Sequence, residues 1–348
     1  MPTVSIYDSP GLDQWRRSLK ADPLCVRRLR NGLLKQGLPD ATALAAFPAP
    51  EQVDLHELEL FQRHDSTVDG ATKLLFRTAD GLLIESVILR IASGRTTLCL
   101  SSQVGCGVAC EFCATGKMGL KRNLSSHEML DQVLQSIQLL AGEGRRLRNI
   151  VFMGMGEPLH NAEQLRATLD ALIAPELFHF APTRILVSTV GVPEAMLRLA
   201  EHHPTVRMAL SLHSVDEEVR QRLIPLAKKY PLEQLRRTLE ELNHRSNAAV
   251  MVEYLLLAGV NDSPSDARHL IAWLSGLNVH VNLIPYNAIE EATGLTGSLE
   301  PERARFAATL KAAGLKTTLR YSLGSDIAAA CGQLVRHENR RLHLYNIA

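Results

Sequence analysis

The feature that most constrains the fold is an alternation of short apolar runs and amphipathic stretches from about residue 98 onward. Six runs are rich in Val, Ile and Leu and are mostly bounded by Gly, Pro, Asn or Ser, which is typical of buried strands. These runs lie at residues 98–101, 149–153, 184–189, 206–212, 250–257 and 279–285. Six successive strand–helix units imply a parallel sheet with right-handed crossovers that curls toward a barrel. Because eight units are needed to close such a barrel, we expect an open, partial six-unit α/β barrel with a lateral mouth.

The intervening stretches predict helices, and the N-terminal part of the chain has a different pattern. The clearest helix begins at Ser125, where Glu128 completes a capping box, and others are predicted near residues 161–172, 231–243 and 264–274. Residues 1–75 lack the alternation, look mostly helical and are broken by Pro39, Pro48 and Pro50. We therefore expect an N-terminal accessory domain at 1–75, a core at 76–326 and a C-terminal tail at 327–348.

Composition excludes some classes of protein and leaves others open. Hydrophobic residues make up 46% and charged residues 22%, no apolar run approaches the roughly 18 residues of a membrane helix, and residues 1–9 lack the features of a secretory signal. These observations predict a cytoplasmic protein without a membrane partner. The net charge of +1 gives no overall nucleic-acid signal. Local basic clusters are either solvated helix faces or phosphate contacts. They comprise Arg16, Arg17, Lys20, Arg27, Arg28, Arg30 and Lys35, and then Arg145, Arg146 and Arg148.

Three of the six cysteines form a C-x3-C-x2-C motif at Cys106, Cys110 and Cys113. Clustered cysteines in a large chain of this kind are more often metal-binding or catalytic than a disulfide framework. Three thiolates can ligate three irons of a four-iron cluster and leave the fourth iron open. An open iron can chelate S-adenosylmethionine (SAM), whose reductive cleavage releases a 5′-deoxyadenosyl radical. The alternative is a zinc site, which usually has four ligands in paired spacing.

Polar residues at the ends of later strands are candidate cofactor contacts. Gly156 and Glu157 follow the strand after the cysteine motif, where a glycine admits a ligand and a carboxylate can accept hydrogen bonds from the ammonium of SAM. Such a pair on its own is more often a turn, and a histidine at such a position is often structural. The remaining candidates at strand ends are Ser188, Ser211, Leu212, His213 and Asn287.

Two further segments carry a family resemblance over roughly residues 76–334. The segments Cys99-Leu-Ser-Ser-Gln-Val-Gly-Cys106 and Gly324-Ser-Asp-Ile-Ala-Ala-Ala-Cys331-Gly-Gln-Leu, together with Asn282-Leu-Ile-Pro-Tyr-Asn287, resemble signatures of the RlmN/Cfr family of radical SAM enzymes. The resemblance implies a radical SAM barrel and methylation of an adenosine ring carbon, C2 or C8, in rRNA or tRNA. The stretch at 114–123 with Gly324–Ile327 leans toward the C8-methylating branch, and a third branch stays open.

The resemblance also implies roles for three residues and for partners. Cys331 would carry the methyl group taken from one of two SAM molecules, Cys99 would resolve the product through a transient disulfide, and Glu85 would accept the ring proton. The family further implies RNA contacts from the N-terminal domain, an electron donor such as flavodoxin, and a monomer. Cys25 has no counterpart that we identify.

Purely structural roles for these residues, and other functions for the chain, remain open as alternatives. Cys331 would ordinarily be a small buried residue at the start of an Ala-rich helix, and Glu85 a surface carboxylate. A radical SAM enzyme acting on a protein or small molecule is a second hypothesis for the function, and a non-catalytic RNA-binding module is a third.

Overall fold

The computed structural model of the chain describes residues 3–246, 248–290 and 292–334. Most of the predicted C-terminal tail, residues 335–348, therefore lies outside the described residues, whereas Cys331 lies within them. None of the described helices is both long enough and apolar enough to cross a membrane.

The N-terminal segment is a small helical layer. Asp8 and Asp22 cap its first two helices by accepting hydrogen bonds from backbone amides, as expected of aspartate at a helix N-terminus. Its elements are β1 (Val4–Ser5), α1 (Ser9–Ser18), α2 (Pro23–Arg30) with a π-helical continuation (Asn31–Gln36), α3 (Asp40–Leu44) and β2 (Val53–Asp54), which pairs with β1.

One ten-stranded sheet forms the rest of the frame. Its strand order is β14-β13-β12-β11-β10-β9-β6-β5-β4-β3, and a separate hairpin pairs β7 with β8. The strands are β3 (Leu58–Asp65), β4 (Ala71–Thr78), β5 (Leu83–Arg90), β6 (Thr96–Cys99), β7 (Gln103–Gly105), β8 (Leu120–Asn123), β9 (Asn149–Phe152), β10 (Ile185–Thr189), β11 (Arg207–Ser211), β12 (Val250–Leu256), β13 (Val279–Pro285) and β14 (Thr317–Leu319).

Helices connect the parallel strands and cover the outer face of the sheet. The predicted capping box is present, since the Ser125 side chain accepts from the Glu128 amide and the Glu128 side chain accepts from the Ser125 amide. The helices are α4 (Ala114–Lys117), α5 (Ser126–Gly142), α6 (Ala162–Ile173), α7 (Pro193–His202), α8 (Glu217–Leu223), α9 (Leu232–Arg245), α10 (Pro264–Leu274) and α11 (Glu300–Ala312).

The predicted open α/β barrel is confirmed, with one additional parallel strand. The six predicted strands correspond to β6 and β9–β13, and the short β14 pairs in parallel with β13 at one edge. At the other edge β3, β4 and β5 extend the sheet in antiparallel fashion. The sequence boundary at residue 75 therefore falls inside β4, and the segment before it contains β1, β2, β3 and part of β4 as well as helices.

The N-terminal segment and the barrel share one hydrophobic core, which runs from Ile6 to Leu334. Their contact is organised around Asp131, a fully buried carboxylate on α5. Its oxygens accept hydrogen bonds from the Tyr7 hydroxyl at 3.2 Å, from His56 Nδ1 at 2.8 Å and from the backbone amides of residues 57 and 58. Because so many donors converge on it, this buried charge is paired and hydrogen-bonded, as a buried carboxylate must be.

Candidate active site

The cysteine motif forms a tight loop between the two strands of the β7–β8 hairpin. Cys113 is the residue before α4, and Ala109 has a φ of +59°, which turns the loop back on itself. Gly116 lies against this turn, because a Cβ there would be 2.9 Å from the Cys110 nitrogen. The absence of a side chain at residue 116 is therefore required for α4 to pack beneath the loop.

The three cysteines line a common cavity of about 150 Å³, here called the cysteine cavity. Burial raises the pKa of the Cys106 thiol to about 12 and also raises the pKa of Cys110 and Cys113. The thiolate forms that bind metal therefore need a compensating positive charge in this cavity, which iron supplies. The buried guanidinium of Arg220 gives a smaller compensation, because its charge lowers the pKa of Cys110.

The number of cysteines bears on the two metal hypotheses for this cavity. A single zinc ion usually takes four protein ligands, whereas the motif supplies three cysteines to the cavity. A four-iron cluster instead takes each thiolate on a different iron, so three separated thiols in one cavity fit it.

Gly156 and Glu157 lie on the wall of the cysteine cavity. The Glu157 carboxylate accepts hydrogen bonds from the backbone amides of Leu159 at 3.0 Å and Val190 at 2.9 Å. Burial raises the pKa of Glu157 to about 7. Glu157 thus joins the ends of β9 and β10, and its predicted contact with the ammonium of SAM stays a prediction.

Ser188 and Ser211 also line the cysteine cavity and converge on Glu253, which sequence reasoning missed. Glu253 Oε2 accepts hydrogen bonds from Ser188 Oγ at 2.8 Å and from Ser211 Oγ at 3.2 Å. Glu253 is a buried carboxylate on the inner face of β12. The available signal was a single glutamate inside the otherwise apolar run 250–256, since charged residues are seldom fully buried without a partner.

Two of the other predicted cofactor contacts have structural partners. His213 has a φ of +59°, and its Nδ1 accepts a hydrogen bond from the Leu255 amide, so the ring is held within the strand ends. Burial lowers the pKa of His213 to about 3, and its ring meets the edge of Phe112 beside the cysteine loop. The Leu212 side chain is fully buried in the core, so only its backbone is available to a cofactor. Both assignments stay predictions.

A second cavity of about 850 Å³ occupies the opposite end of the barrel interior and is here called the arginine-rimmed cavity. Cys99 and Cys331 both line it, together with Arg320. Cys331 lines the cysteine cavity as well, so this residue lies where the two cavities meet. The structure thus brings the two predicted reaction thiols into one space and gives one of them access to both cavities.

The two thiols of the arginine-rimmed cavity interact electrostatically with Arg320. Burial and the nearby Cys331 raise the pKa of the Cys99 thiol to about 12, while Arg320 opposes this effect. The negative charge of a Cys331 thiolate in turn raises the pKa of Arg320. Arg320 is therefore the cation that stabilises a thiolate in this cavity, a role that sequence reasoning missed.

The segment that carries Cys331 is an irregular loop rather than the start of a helix. Asn287 Nδ2 donates to the Cys331 carbonyl at 3.1 Å, and the Ala114 amide donates to the Gly332 carbonyl at 2.7 Å. The predicted site residue Asn287 thus holds the Cys331 loop, and α4 ties that loop to the cysteine motif. A contact between Asn287 and SAM stays a prediction.

Glu85 is fully buried on β5, so the alternative of a surface carboxylate is wrong. By strand alternation it shares a face of β5 with Val87 and Leu89, which line the arginine-rimmed cavity, but Glu85 is not among the lining residues. Lys73 on the adjacent β4 places Nζ 3.8 Å from Glu85 Oε1 and 3.4 Å from the Ala328 carbonyl. Glu85 is therefore connected through Lys73 to the loop that carries Cys331.

Cys25 and part of the N-terminal basic cluster lie outside the site. Cys25 is buried in the core of the N-terminal segment. Arg30 of that cluster is also buried, and its guanidinium donates to the Ile6 carbonyl and to Ser9 Oγ. Arg30 therefore has a structural role. It belongs neither to a solvated helix face nor to a set of phosphate contacts, the two alternatives for the basic cluster.

Comparison with known proteins identifies the family. The radical SAM superfamily pattern matches residues 100–271. The chain is 55% identical to a probable RNA methyltransferase of Rhodopirellula baltica, over 97% of this chain and 89% of that protein. It is 42% identical to a probable dual-specificity RNA methyltransferase RlmN of Thermosynechococcus vestitus, over 88% of this chain and 90% of that protein.

A solved structure supports the same assignment at the level of the fold. A radical SAM methyltransferase from Sphaerobacter thermophilus superposes with a TM-score of 0.90 at 36% identity, covering 95% of this chain and 99% of that one. Members of the superfamily use a [4Fe-4S] cluster and SAM, and the three cysteines that bind such a cluster are present here. The chain therefore belongs to the RlmN family of radical SAM methyltransferases.

Proposed function

We propose that the protein methylates a ring carbon, C2 or C8, of an adenosine in rRNA or tRNA, with Cys331 as the methyl carrier and Cys99 as the resolving thiol. The observation that carries the proposal is the position of Cys331, which lines both the cysteine cavity and the arginine-rimmed cavity. A carrier must meet the methyl donor on one side and the acceptor on the other. Relatives named as RNA methyltransferases support RNA as the acceptor.

An adenine ring carbon has no lone pair with which to attack the methyl group of SAM, so a carrier thiol is needed. In the first step the Cys331 thiolate displaces the methyl group of one SAM molecule; a C–S bond to Cys331 forms, and S-adenosylhomocysteine leaves. Arg320 lines the same cavity as Cys331, and the negative charge of a Cys331 thiolate raises the pKa of Arg320. When bound, the cluster and a second SAM molecule supply the radical that removes one hydrogen atom from the S-methyl group.

The remaining steps use the chain's own acid–base and thiol groups. The carbon on Cys331 adds to an adenine carbon and links protein and RNA covalently. The adduct radical then gives up one electron, for which the oxidised cluster would be the acceptor when bound, and the ring proton, for which the buried Glu85 is the proposed acceptor, directly or through water. Cys99 then attacks the Cys331 sulfur, the bond between that sulfur and the transferred carbon breaks, and the carbon takes up a proton to become the methyl group of the released base, which leaves a Cys99–Cys331 disulfide. A reductant such as flavodoxin would supply electrons, and we propose a monomer in solution.

Replacement of Cys331 by alanine tests the carrier mechanism. We expect Cys331→Ala to abolish methyl transfer to RNA while reductive cleavage of SAM to 5′-deoxyadenosine continues, because the cluster ligands are untouched. The measurement is transfer of labelled methyl from SAM to RNA by the anaerobically reconstituted enzyme. Cys25→Ala is the matched control, a cysteine buried far from both cavities, and should retain transfer. Methylation of RNA by Cys331→Ala at the wild-type rate would exclude the thiol carrier.

The methylated RNA and the carbon atom can be determined together. Purified tRNA and protein-free rRNA are each incubated with the reconstituted enzyme, digested to nucleosides and analysed by mass spectrometry. The appearance of 2-methyladenosine or 8-methyladenosine assigns the carbon, and the RNA that contains it assigns the substrate. Labelled methyl on a protein or small molecule in place of RNA would overturn the proposal.

A further inference from the structure

The two cavities open toward opposite ends of the barrel strands. Ser188, Ser211 and Leu255 line the cysteine cavity toward the carboxyl ends of their strands. Asn149 and Arg207, the first residues of β9 and β11, line the arginine-rimmed cavity instead. A substrate that enters the arginine-rimmed cavity therefore reaches Cys331 from the side opposite the cluster.

The rim of the arginine-rimmed cavity carries exposed arginines that lack ion-pair partners among the described residues. Arg95, Arg184 and Arg207 line the cavity, are exposed, and form no ion pair within that part of the chain. Arg90, by contrast, lines the same cavity but is engaged by Glu143 at 2.7 Å. Three uncompensated guanidinium groups around one opening are suited to a polyanion, because each can form charge-assisted bonds to phosphate.

A neighbouring loop enlarges this basic surface. Arg145, Arg146 and Arg148 precede β9 and are exposed. Thr96 at the start of β6 fixes their loop, since its hydroxyl donates to the Arg146 carbonyl and accepts from the Arg148 amide at 3.2 Å. The loop therefore lies next to Arg95, one residue before Thr96, and adds positive charge along the same end of the sheet.

An exposed aromatic ring and the volume of the cavity complete the surface. Tyr321 is 80% exposed and lines the cavity directly after Arg320. Exposed aromatic rings beside basic groups are typical platforms for stacking unpaired bases. The volume of about 850 Å³ is in the range of sites that bind small organic ligands, and so accommodates a nucleoside turned out of its stack.

We propose that RNA docks on this end of the barrel, with phosphates on Arg95, Arg184 and Arg207, an unpaired base on Tyr321, and the target adenosine inserted into the arginine-rimmed cavity toward Cys331. This inference rests on the proposed function and adds the surface and the direction from which the RNA enters. It also assigns the RNA contact to strand ends of the barrel rather than to the N-terminal segment alone.

A different basic cavity, here called the outer cavity, provides the matched control. It measures about 1020 Å³ and lies on the outside of the barrel beside α6 and α7, where Arg166 and Arg198 line it. Neither Cys99 nor Cys331 lines this outer cavity, and Arg122 within it is engaged by Asp80 and Glu128. Positive charge alone therefore does not distinguish the two surfaces, whereas access to Cys331 does.

The experiment compares two double variants of the reconstituted holoenzyme: Arg184→Gln with Arg207→Gln, and Arg166→Gln with Arg198→Gln. Binding of purified tRNA and of protein-free rRNA is measured by filter retention over about 0.05 to 0.3 M KCl. The logarithm of the affinity falls as the logarithm of the salt concentration rises, and each lost phosphate contact makes this fall less steep by about 1. The rim pair should therefore reduce the magnitude of the slope by about 2. We expect the rim pair to weaken RNA binding about tenfold or more at the same salt, and the outer pair to bind as the wild type does.

Several outcomes separate this inference from the proposed function. If the wild type methylates RNA but the rim pair binds and methylates it equally well, the docking surface is wrong and the function stands. Equal losses from the outer pair would also overturn it, since only bulk charge would then matter. If the wild type methylates neither RNA, the proposed function itself fails. Iron content and melting temperature of each variant establish that the fold is intact.

Tyr321 gives an independent test of the stacking contact. We expect Tyr321→Ala to raise the KM for RNA about fivefold or more, because the stacking of a base on an aromatic ring stabilises the bound RNA. Tyr321→Phe should restore the wild-type KM, since stacking needs the ring and not the hydroxyl. An unchanged KM in Tyr321→Ala would remove the stacking platform from the proposal.

Discussion

At the scale of single residues, the buried pair of Lys73 and Glu85 connects the proposed proton acceptor to the carrier loop. The Lys73 ammonium lies 3.8 Å from the fully buried Glu85 carboxylate, so the proposed proton acceptor has a cation beside it. The same ammonium is 3.4 Å from the Ala328 carbonyl, three residues before Cys331. Lys73 is therefore a positioning residue that acts through Glu85 and through the loop.

Replacement of Lys73 by methionine should impair proton removal from the RNA adduct. We expect Lys73→Met to slow product formation by about 10² and to accumulate the covalent protein–RNA species, because the buried Glu85 carboxylate then lacks the cation that lies beside it. The adduct is measured as a slowly migrating band on denaturing gels.

Lys73→Arg is the matched control, because it keeps the positive charge and should recover much of the rate. If Lys73→Met instead slows methyl loading of Cys331 without adduct accumulation, Lys73 acts on the loop alone and the connection to Glu85 is wrong. Retention of the wild-type rate would exclude both roles.

At the scale of elements, the junction between α5 and the N-terminal segment contains a histidine held as a cation. Burial disfavours the charged form of His56, but hydrogen bonds and charge from Asp131 and Asp40 outweigh this effect and raise the pKa of His56 to about 9. His56 Nδ1 is 2.8 Å from Asp131 Oδ1, and Nε2 is 2.9 Å from Asp40 Oδ2. One imidazolium thus joins α3 and α5.

This pair of contacts predicts a pH-dependent stability. Because the pKa is raised on folding, the stabilisation is complete below the ordinary histidine value of about 6.5 and is lost as the pH rises through about 9. After allowance for partial exposure of the ring we expect a loss of about 1–2 kcal/mol. For a chain of 348 residues this is a fall of about 2 °C in melting temperature.

The variant His56→Gln isolates the contribution of His56 from other titrating groups. It should melt below the wild type at pH 6, and the difference should shrink toward zero near pH 9.5, since the wild-type ring is then neutral. Melting is followed by circular dichroism on the anaerobic holoenzyme. A difference that stays constant over this range would show that His56 is not held as a cation.

At the scale of the whole molecule, the sequence predicted the barrel well and its surfaces poorly. The strand at 279–285 was predicted with its observed bounds, because the run of branched apolar residues is bounded by polar residues. The three-residue β14 was missed, because Thr317–Leu319 is a partly exposed edge without a long apolar run. The antiparallel β3–β5 were not predicted, because these strands follow one another without intervening helices and so lack the strand–helix alternation.

The site divides along the same line. Cys106, Cys110 and Cys113 were predicted from their spacing in the sequence, and Cys99 and Cys331 were predicted from the resemblance of their flanking segments to the RlmN/Cfr family. Glu253 and the rim arginines were not found, since each stands alone in the sequence and meets its neighbours only through the parallel order of the strands. Local motifs report cofactor chemistry, whereas the surface for a large substrate is assembled by the topology.

The shared core predicts that the N-terminal segment and the barrel unfold together. Leu33 is fully buried in the N-terminal segment, yet it belongs to the same hydrophobic cluster as the barrel strands. Leu33→Ala should therefore cost about 2–4 kcal/mol and lower the melting temperature of the entire protein by about 3–5 °C. Melts of the iron chromophore and of the helical circular dichroism should coincide in wild type and variant. Leu24→Ala is the matched control, because Leu24 is 45% exposed on the same segment and should leave the transition nearly unchanged. If a low-temperature helical transition appears while the chromophore persists, the segment is an independent domain and one cooperative unit is excluded.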